Sequence, residues 1–342
     1  MENNTVLPEK IQAKYDDKRF PKIWHAVLGG AVMYIPVYTV VFLLAYLTGS
    51  NYQDAFRTEF GGDMFSAILS QFFAVIIIPV ILMLITKRDI ISTIRLKKNI
   101  DVLQVLLLSV FAVCGFFLLQ TINGIFITIV SGVLGEPSNS SSIADATNPT
   151  QLLFEIVIIG GLPAIFEEIF YRGFVMRAFE RKSRIMAILM SSLMFAIMHG
   201  NLQQLAYAFV CGIILGTVVT LTDSLLAGCV IHFTLNTISV IISYPPINDL
   251  YVLYAEKYMF IFSSVVLLVL PVFACGALAL FIIYTLKKNK KLYGSRVPTD
   301  LKYPKLMPKE TKGERVIKTI SWIAFIVINV LFMALNWFDY GA

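Results

Sequence analysis

Residues 150–174 read TQLLFEIVIIGGLPAIFEEIFYRGF. A helix needs about 20 mostly apolar residues to cross a hydrocarbon core about 30 Å thick, and this run is long enough. Yet it carries two adjacent carboxylates, Glu167 and Glu168, with Arg172 four residues on. An ionisable side chain inside a span costs roughly 2.5–3.5 kcal/mol on insertion scales, so such a pair is first a functional hypothesis. Glu155, near the other end of the run, needs only an interfacial position.

The rest of the chain is built for the same solvent. Of 342 residues, 57% are hydrophobic and 15% charged, against about a quarter charged in a soluble domain. Hydropathy gives nine candidate spans: 24–47, 64–86, 101–134, 150–171, 185–200, 203–221, 225–243, 258–286 and 316–337. The third is too long for one straight crossing, so it tilts or breaks near Asn123-Gly124. The first apolar run follows a polar stretch closed by Lys18-Arg19-Phe20-Pro21-Lys22 and has no small-residue cleavage site, which reads as a retained span. The expected fold is all-α: a polytopic transmembrane bundle of eight to nine spans around a four-helix core. The chain divides into N-terminal helices (1–149), a core (150–243) and C-terminal helices with a basic linker (244–342).

Charge placement tests the span count. With the N-terminus inside, the inner segments hold 25 of the 28 Lys and Arg residues, while the outer segments hold only Arg57 and Lys257. A miscounted span would scramble this asymmetry, which is what the positive-inside rule demands. The formal charge of +6 is therefore a topology signal, and nucleic-acid binding is not expected. Cys114, Cys211, Cys229 and Cys275 all fall in apolar stretches without a CxxC spacing, and read as reduced thiols. The basic segment 88–99 and the lysine-rich composition point to a bacterial cell membrane.

Two of the three histidines also lie inside spans: His199, in Phe195-Ala-Ile-Met-His199, and His232, in His232-Phe-Thr-Leu-Asn236. Spans four and five form a hairpin turning near Ser183, with Glu167 sixteen residues before the turn and His199 sixteen after it. At about 1.5 Å per residue both lie about 24 Å from a charged tip, expected to project into the cytoplasm. His232, nine residues past the turn at Asp223, then meets them at one depth in the inner part of the bilayer. Such a cluster supports hydrolysis. A carboxylate in a dry site can act as general base toward water, and His and Asn side chains can donate to a developing oxyanion. Asn236 lies one turn beyond His232 on the same face, and Arg172 is spaced to pair with Glu168, leaving Glu167 freer. Alternatively Glu167, Glu168, His199 and His232 bind zinc and activate a metal-bound water. Spacing leaves both open. Gly212 and Gly216 read as a close helix contact, Phe195 as packing, and Gln120 and Asn123 as either cavity lining or helix pairing.

Glu167-Glu168-x-x-x-Arg172, Phe195-x-x-x-His199 and His232-x-x-x-Asn236, in this order on successive apolar helices, resemble the CPBP family of CAAX prenyl proteases and bacteriocin-processing proteins, also called Abi. The resemblance covers about 150–243. It implies a glutamate-dependent intramembrane endopeptidase in which Glu167 activates water, Glu168 supports it and His199 binds or orients that water. His232 and Asn236 would meet the oxyanion, and Arg172 and Phe195 would support the site. It also implies a membrane-associated or lipidated peptide or protein as substrate. A binding-only membrane protein, an immunity factor or signalling scaffold, is the second class, because it could keep the fold without the chemistry. A proton- or ion-coupled transporter predicts charges spread along a pathway and repeated halves, which this sequence lacks.

Overall fold

The computed structural model describes residues 21–33, 60–87, 90–96, 100–137, 146–180, 182–293 and 311–338, with residues 35, 39, 43 and 46 between the first two segments. Residues 18–20 of the basic cluster, part of the expected first span, Arg181 and the linker 294–310 lie outside the described residues.

Among the described residues every regular element is helical. The chain order begins with α1 (Ile23–Val32), α2 (Phe60–Leu69, Ser70–Ile77 and Ile78–Ile85), α3 (Ile90–Thr93) and α4 (Val102–Leu134). Next is α5, assembled from Pro149–Glu155, Ile156–Gly161, Leu162–Glu168, Ile169–Val175 and Met176–Glu180. Then come α6 (Arg184–Met198), α7 (Leu202–Thr222), α8 (Leu225–Ser243) and α9 (Pro245–Lys257). Last are α10 (Met259–Ser264, Val265–Val269 and Leu270–Tyr293) and α11 (Lys312–Phe338). Six stretches are long and apolar enough to cross a membrane: Ala67–Ile85, Val102–Leu134, Leu202–Thr222, Leu225–Ser243, Met259–Lys290 and Lys312–Phe338. The chain is an integral membrane protein. Of the other expected spans, 185–200 forms the shorter α6, and 150–171 forms the start of α5, whose α-helical pieces are separated by π-helical turns.

Helix α4 runs unbroken through Asn123-Gly124. Asn123 turns outward to its neighbour: its Oδ1 accepts from Tyr207 N–H at 3.2 Å and its Nδ2 donates to Gln203 O at 2.7 Å. The start of α4 is closed by Asp101, whose Oδ1 accepts from Gln104 N–H at 2.9 Å while Gln104 Oε1 accepts from Asp101 N–H at 3.1 Å. This reciprocal cap satisfies two donors that a helix start leaves orphaned. Tyr284 and Lys288 of α10 both reach Asp101 Oδ2, at 2.9 and 2.7 Å. Helices α6 and α7 approach closely because Gly212 has no side chain: a Cβ there would lie 2.8 Å from Ser192 Cβ.

Helix α5 carries the carboxylates, and its two π-helical turns, Ile156–Gly161 and Ile169–Val175, flank Leu162–Glu168. Gly160-Gly161 and Pro163 explain the first, since Pro removes a donor and Gly tolerates the altered winding. Gly160 also lets α5 close on α8: a Cβ there would sit 3.0 Å from Thr237 Oγ1. Glu155 is buried, because the start of α5 is held against α2 and α8.

The end of α5 is covered by the rest of the protein: every residue from Phe170 to Glu180 is buried. The charges find partners from other loops. Arg95 pairs with Glu180 and, at 3.1 Å, with Asp223, and its Nη1 donates to Arg172 O at 3.0 Å. Arg177 reaches Glu180 at 3.0 Å and Asp223 at 3.3 Å. Burial pushes the Glu180 carboxyl up, but Arg95 and Arg177 together hold it below the usual range. A carboxyl lowered by folding stabilises the protein above its unfolded pKa, about 4.3, and loses that contribution as pH falls through the folded value. Thermal midpoints in detergent are therefore expected to be level near neutral pH and to fall below about pH 4. Glu180→Gln should flatten that acid-side fall, and an unchanged slope in this variant would refute the assignment.

Helix α11, which carries none of the sequence motifs, packs along α1 and touches α6 and α7. Lys22 pairs with Glu314 at one end, and Asn336 Nδ2 donates to Gly200 O at 2.8 Å at the other. The last helix thus braces the residue that follows His199.

Candidate active site

Glu167 and Glu168 are consecutive on α5, so their side chains leave the helix about 100° apart and meet different surroundings. Glu168 is wholly buried. Its Oε1 lies 2.9 Å from Arg172 Nη1, one turn on, and 3.1 Å from His232 Nδ1 of α8. Arg172 is itself wholly buried, with its Nη2 donating to Gly212 O at 3.3 Å and its guanidinium 4.5 Å from the Phe195 ring centroid. A buried guanidinium over an aromatic face gains a further attraction.

Glu167 faces the other way, into a cavity of about 520 Å³ that Glu168 does not line. Its Oε1 accepts from Gln71 Nε2 at 2.8 Å, and its Oε2 lies 3.8 Å from His232 Nε2. Phe195, His199, His232 and Asn236 line the same cavity, with Gln120 and Asn123 on the α4 side. The sequence-selected polar side chains thus surround two distinct environments: a dry ion pair behind and an open volume in front.

The ring orientations follow from partner chemistry. His199 Nδ1 lies 2.8 Å from Phe195 O, and a carbonyl can only accept, so Nδ1 carries the proton and Nε2 of the neutral ring is an acceptor. His232 presents Nδ1–H to the Glu168 carboxylate, which turns Nε2 toward Glu167. Phe195 stacks edge-on against both rings, with centroids 4.9 Å from His199 and 5.7 Å from His232. Asn236 donates one N–H to Ile159 O at 3.3 Å, which ties α8 to the first π-helical turn of α5.

The zinc expectation requires Glu167, Glu168, His199 and His232 to converge. Among the described residues no group of three or more His, Cys, Asp or Glu side chains is arranged to hold a metal ion. Glu168 Oε1 and His232 Nδ1 are engaged with each other, and His199 Nδ1 with a backbone carbonyl. All four cysteines are free thiols.

Two residues at the site escape the sequence motifs. Gln71 comes from α2, 96 positions before its partner. Gly228 of α8 is one turn before His232, and a Cβ there would overlap Glu168 Oε2 and lie 3.0 Å from Val219 Cγ2. Because Glu168 is pinned through its other oxygen, it cannot simply swing away. Gly228→Ala is expected to displace the carboxylate and to destabilise the protein by about 1–3 kcal/mol, the usual cost of overpacking, read as a lower melting midpoint in detergent. A variant that melts with the parent would mean that the contact relaxes elsewhere.

Residues 149–238 match the family model described as Type II CAAX prenyl endopeptidase Rce1-like. The chain is also similar to a Bacillus subtilis (strain 168) protein named "Putative membrane peptidase YdiL", with 28% identity over 142 residues, 40% of this chain and 57% of that protein. The match thus spans a little over half the length of the curated relative. No solved structure matches the chain.

Proposed function

We propose that this CPBP-family chain is an intramembrane endopeptidase that hydrolyses a peptide bond in a membrane-associated or lipidated substrate with a carboxylate-activated water. One observation carries the reading: of two adjacent carboxylates, Glu167 lines the cavity while Glu168 is sealed into an ion pair. That is the division of labour hydrolysis needs, one carboxylate free to take a proton and one fixed to orient the rest.

Water attacks the scissile carbonyl carbon as Glu167 Oε2 takes one of its protons and His199 Nε2 accepts a hydrogen bond from the other. The oxyanion is met by His232, donating from Nε2 when the ring carries both protons, and by the second N–H of Asn236. Collapse of the tetrahedral intermediate breaks the C–N bond, and the proton held by Glu167 passes to the leaving amine. Glu168 and Arg172 hold His232 in place. No step needs a metal, and cleavage is expected to survive chelator treatment. The loop charges support an inside N-terminus and a site reached from the cytoplasmic leaflet.

The test is cleavage by purified protein in liposomes on a peptide panel with and without a prenyl group. Cleavage that depends on His232 and Asn236 supports the reading. If the intact protein cuts nothing on the panel, the chemistry fails and a binding or immunity role takes its place. Loss of cleavage with chelator, restored by zinc, would overturn the metal-free step.

A further inference from the structure

Helix α2 lies outside the segment that matches the family model, yet it reaches the carboxylate that lines the cavity. Its π-helical turns, Ser70–Ile77, contain Gln71. The Gln71 carboxamide has a donor end and an acceptor end. The donor, Nε2, lies 2.8 Å from Glu167 Oε1. The reversed amide would set its carbonyl oxygen against a carboxylate, which can only accept, so the contact fixes which end faces which way. The other end, Gln71 Oε1, is buried and has no hydrogen-bond partner among the described residues. A buried acceptor left unpaired costs about 1–3 kcal/mol. Gln71 lines the same cavity as Glu167. An extended peptide entering a dry cavity brings backbone N–H groups that need acceptors.

We propose that Gln71 is a positioning residue of the glutamate site: its Nε2–H holds Glu167 Oε1 so that Oε2 is left to the cavity, and its Oε1 accepts a backbone N–H of the bound peptide. The second half rests on the peptidase reading, and the first does not. The two halves make different kinetic demands. Glu at position 71 keeps an acceptor and loses the N–H, so Gln71→Glu should lower kcat while leaving KM near the parent. Leu loses both ends, so Gln71→Leu should lower kcat and raise KM, with kcat/KM down about ten- to hundredfold.

The experiment has a readout that does not require turnover. The Glu167 carboxylate stretch is isolated as the infrared difference between the parent and Glu167→Gln in liposomes, then measured again in the Gln71→Leu and Gln71→Glu backgrounds. The band is expected to shift in both, and to stay in place with Ile81→Ala, on the exposed face of the same helix. An unmoved band in a folded Gln71 variant overturns the positioning role whether or not the protein cleaves anything. Gln71→Glu covers the case in which Gln71→Leu does not fold. Parental KM in Gln71→Leu overturns the acceptor role alone. A shifted band in a protein that cleaves no peptide sinks the peptidase reading and the acceptor role with it, and keeps the positioning role.

Discussion

Glu167→Gln will leave the protein folded and remove cleavage. The substitution is isosteric, and the new side-chain carbonyl can still accept from Gln71 Nε2, so the melting midpoint should stay close to the parent. What disappears is the ability to take a proton from water. Removing a general base lowers the rate by about 10²–10⁴-fold, and kcat should fall within that range with KM little changed. Glu168→Gln makes the informative contrast. Glu168 is sealed against Arg172, so the same isosteric change there leaves a wholly buried guanidinium without its counter-charge. That variant should lose stability and activity together, whereas Glu167→Gln loses activity alone. Thermal melts and initial rates on the two variants side by side decide the matter. If Glu167→Gln keeps more than about a tenth of the parental kcat, Glu167 is not the base.

The contrast between the two glutamates was legible in the sequence because it is a helical-spacing relation. Four residues separate Glu168 from Arg172, and the geometry of one turn brings them together whatever the tertiary structure. The same holds for His232 and Asn236. The helices were legible because apolar runs of span length admit little else in lipid. What was not legible came from elsewhere in the chain. Gln71 carries no motif, and its tie to Glu167 joins two helices 96 positions apart. Gly228 does sit one helical turn before His232, and that offset was a usable signal, but a glycine inside a span reads first as helix packing. The burial of the end of α5 was not legible for a related reason. Arg177 looks like any inner-loop cation until Arg95 and Asp223, from two other loops, are placed against Glu180 and Arg177. The first π-helical turn of α5 had Gly160-Gly161 and Pro163 to announce it, and the second, after Glu168, had only Gly173.

The dependence of the site on its buried ion pair yields the largest stability effect. Arg172→Leu is expected to destabilise the protein by about 3–5 kcal/mol, the usual cost of stranding one partner of a buried pair, and to abolish cleavage. Three contacts vanish together: the ion pair with Glu168, the hydrogen bond to Gly212 O and the stacking over Phe195. The stranded carboxylate is what makes the loss so large, and that can be tested separately. In Glu168→Gln/Arg172→Met neither charge of the pair remains, and Gln at 168 can still accept from His232 Nδ1–H. Replacing a buried pair with neutral groups of similar volume is often close to neutral in stability, so the double variant should recover most of what Arg172→Leu loses. It should not recover activity, because His232 is then no longer set against a negative charge. Unfolding midpoints of the single and double variants, measured with cleavage, separate the two roles. A single variant as stable as the parent would mean that the guanidinium is a bystander. A double variant that regains cleavage would mean that the pair serves only the fold.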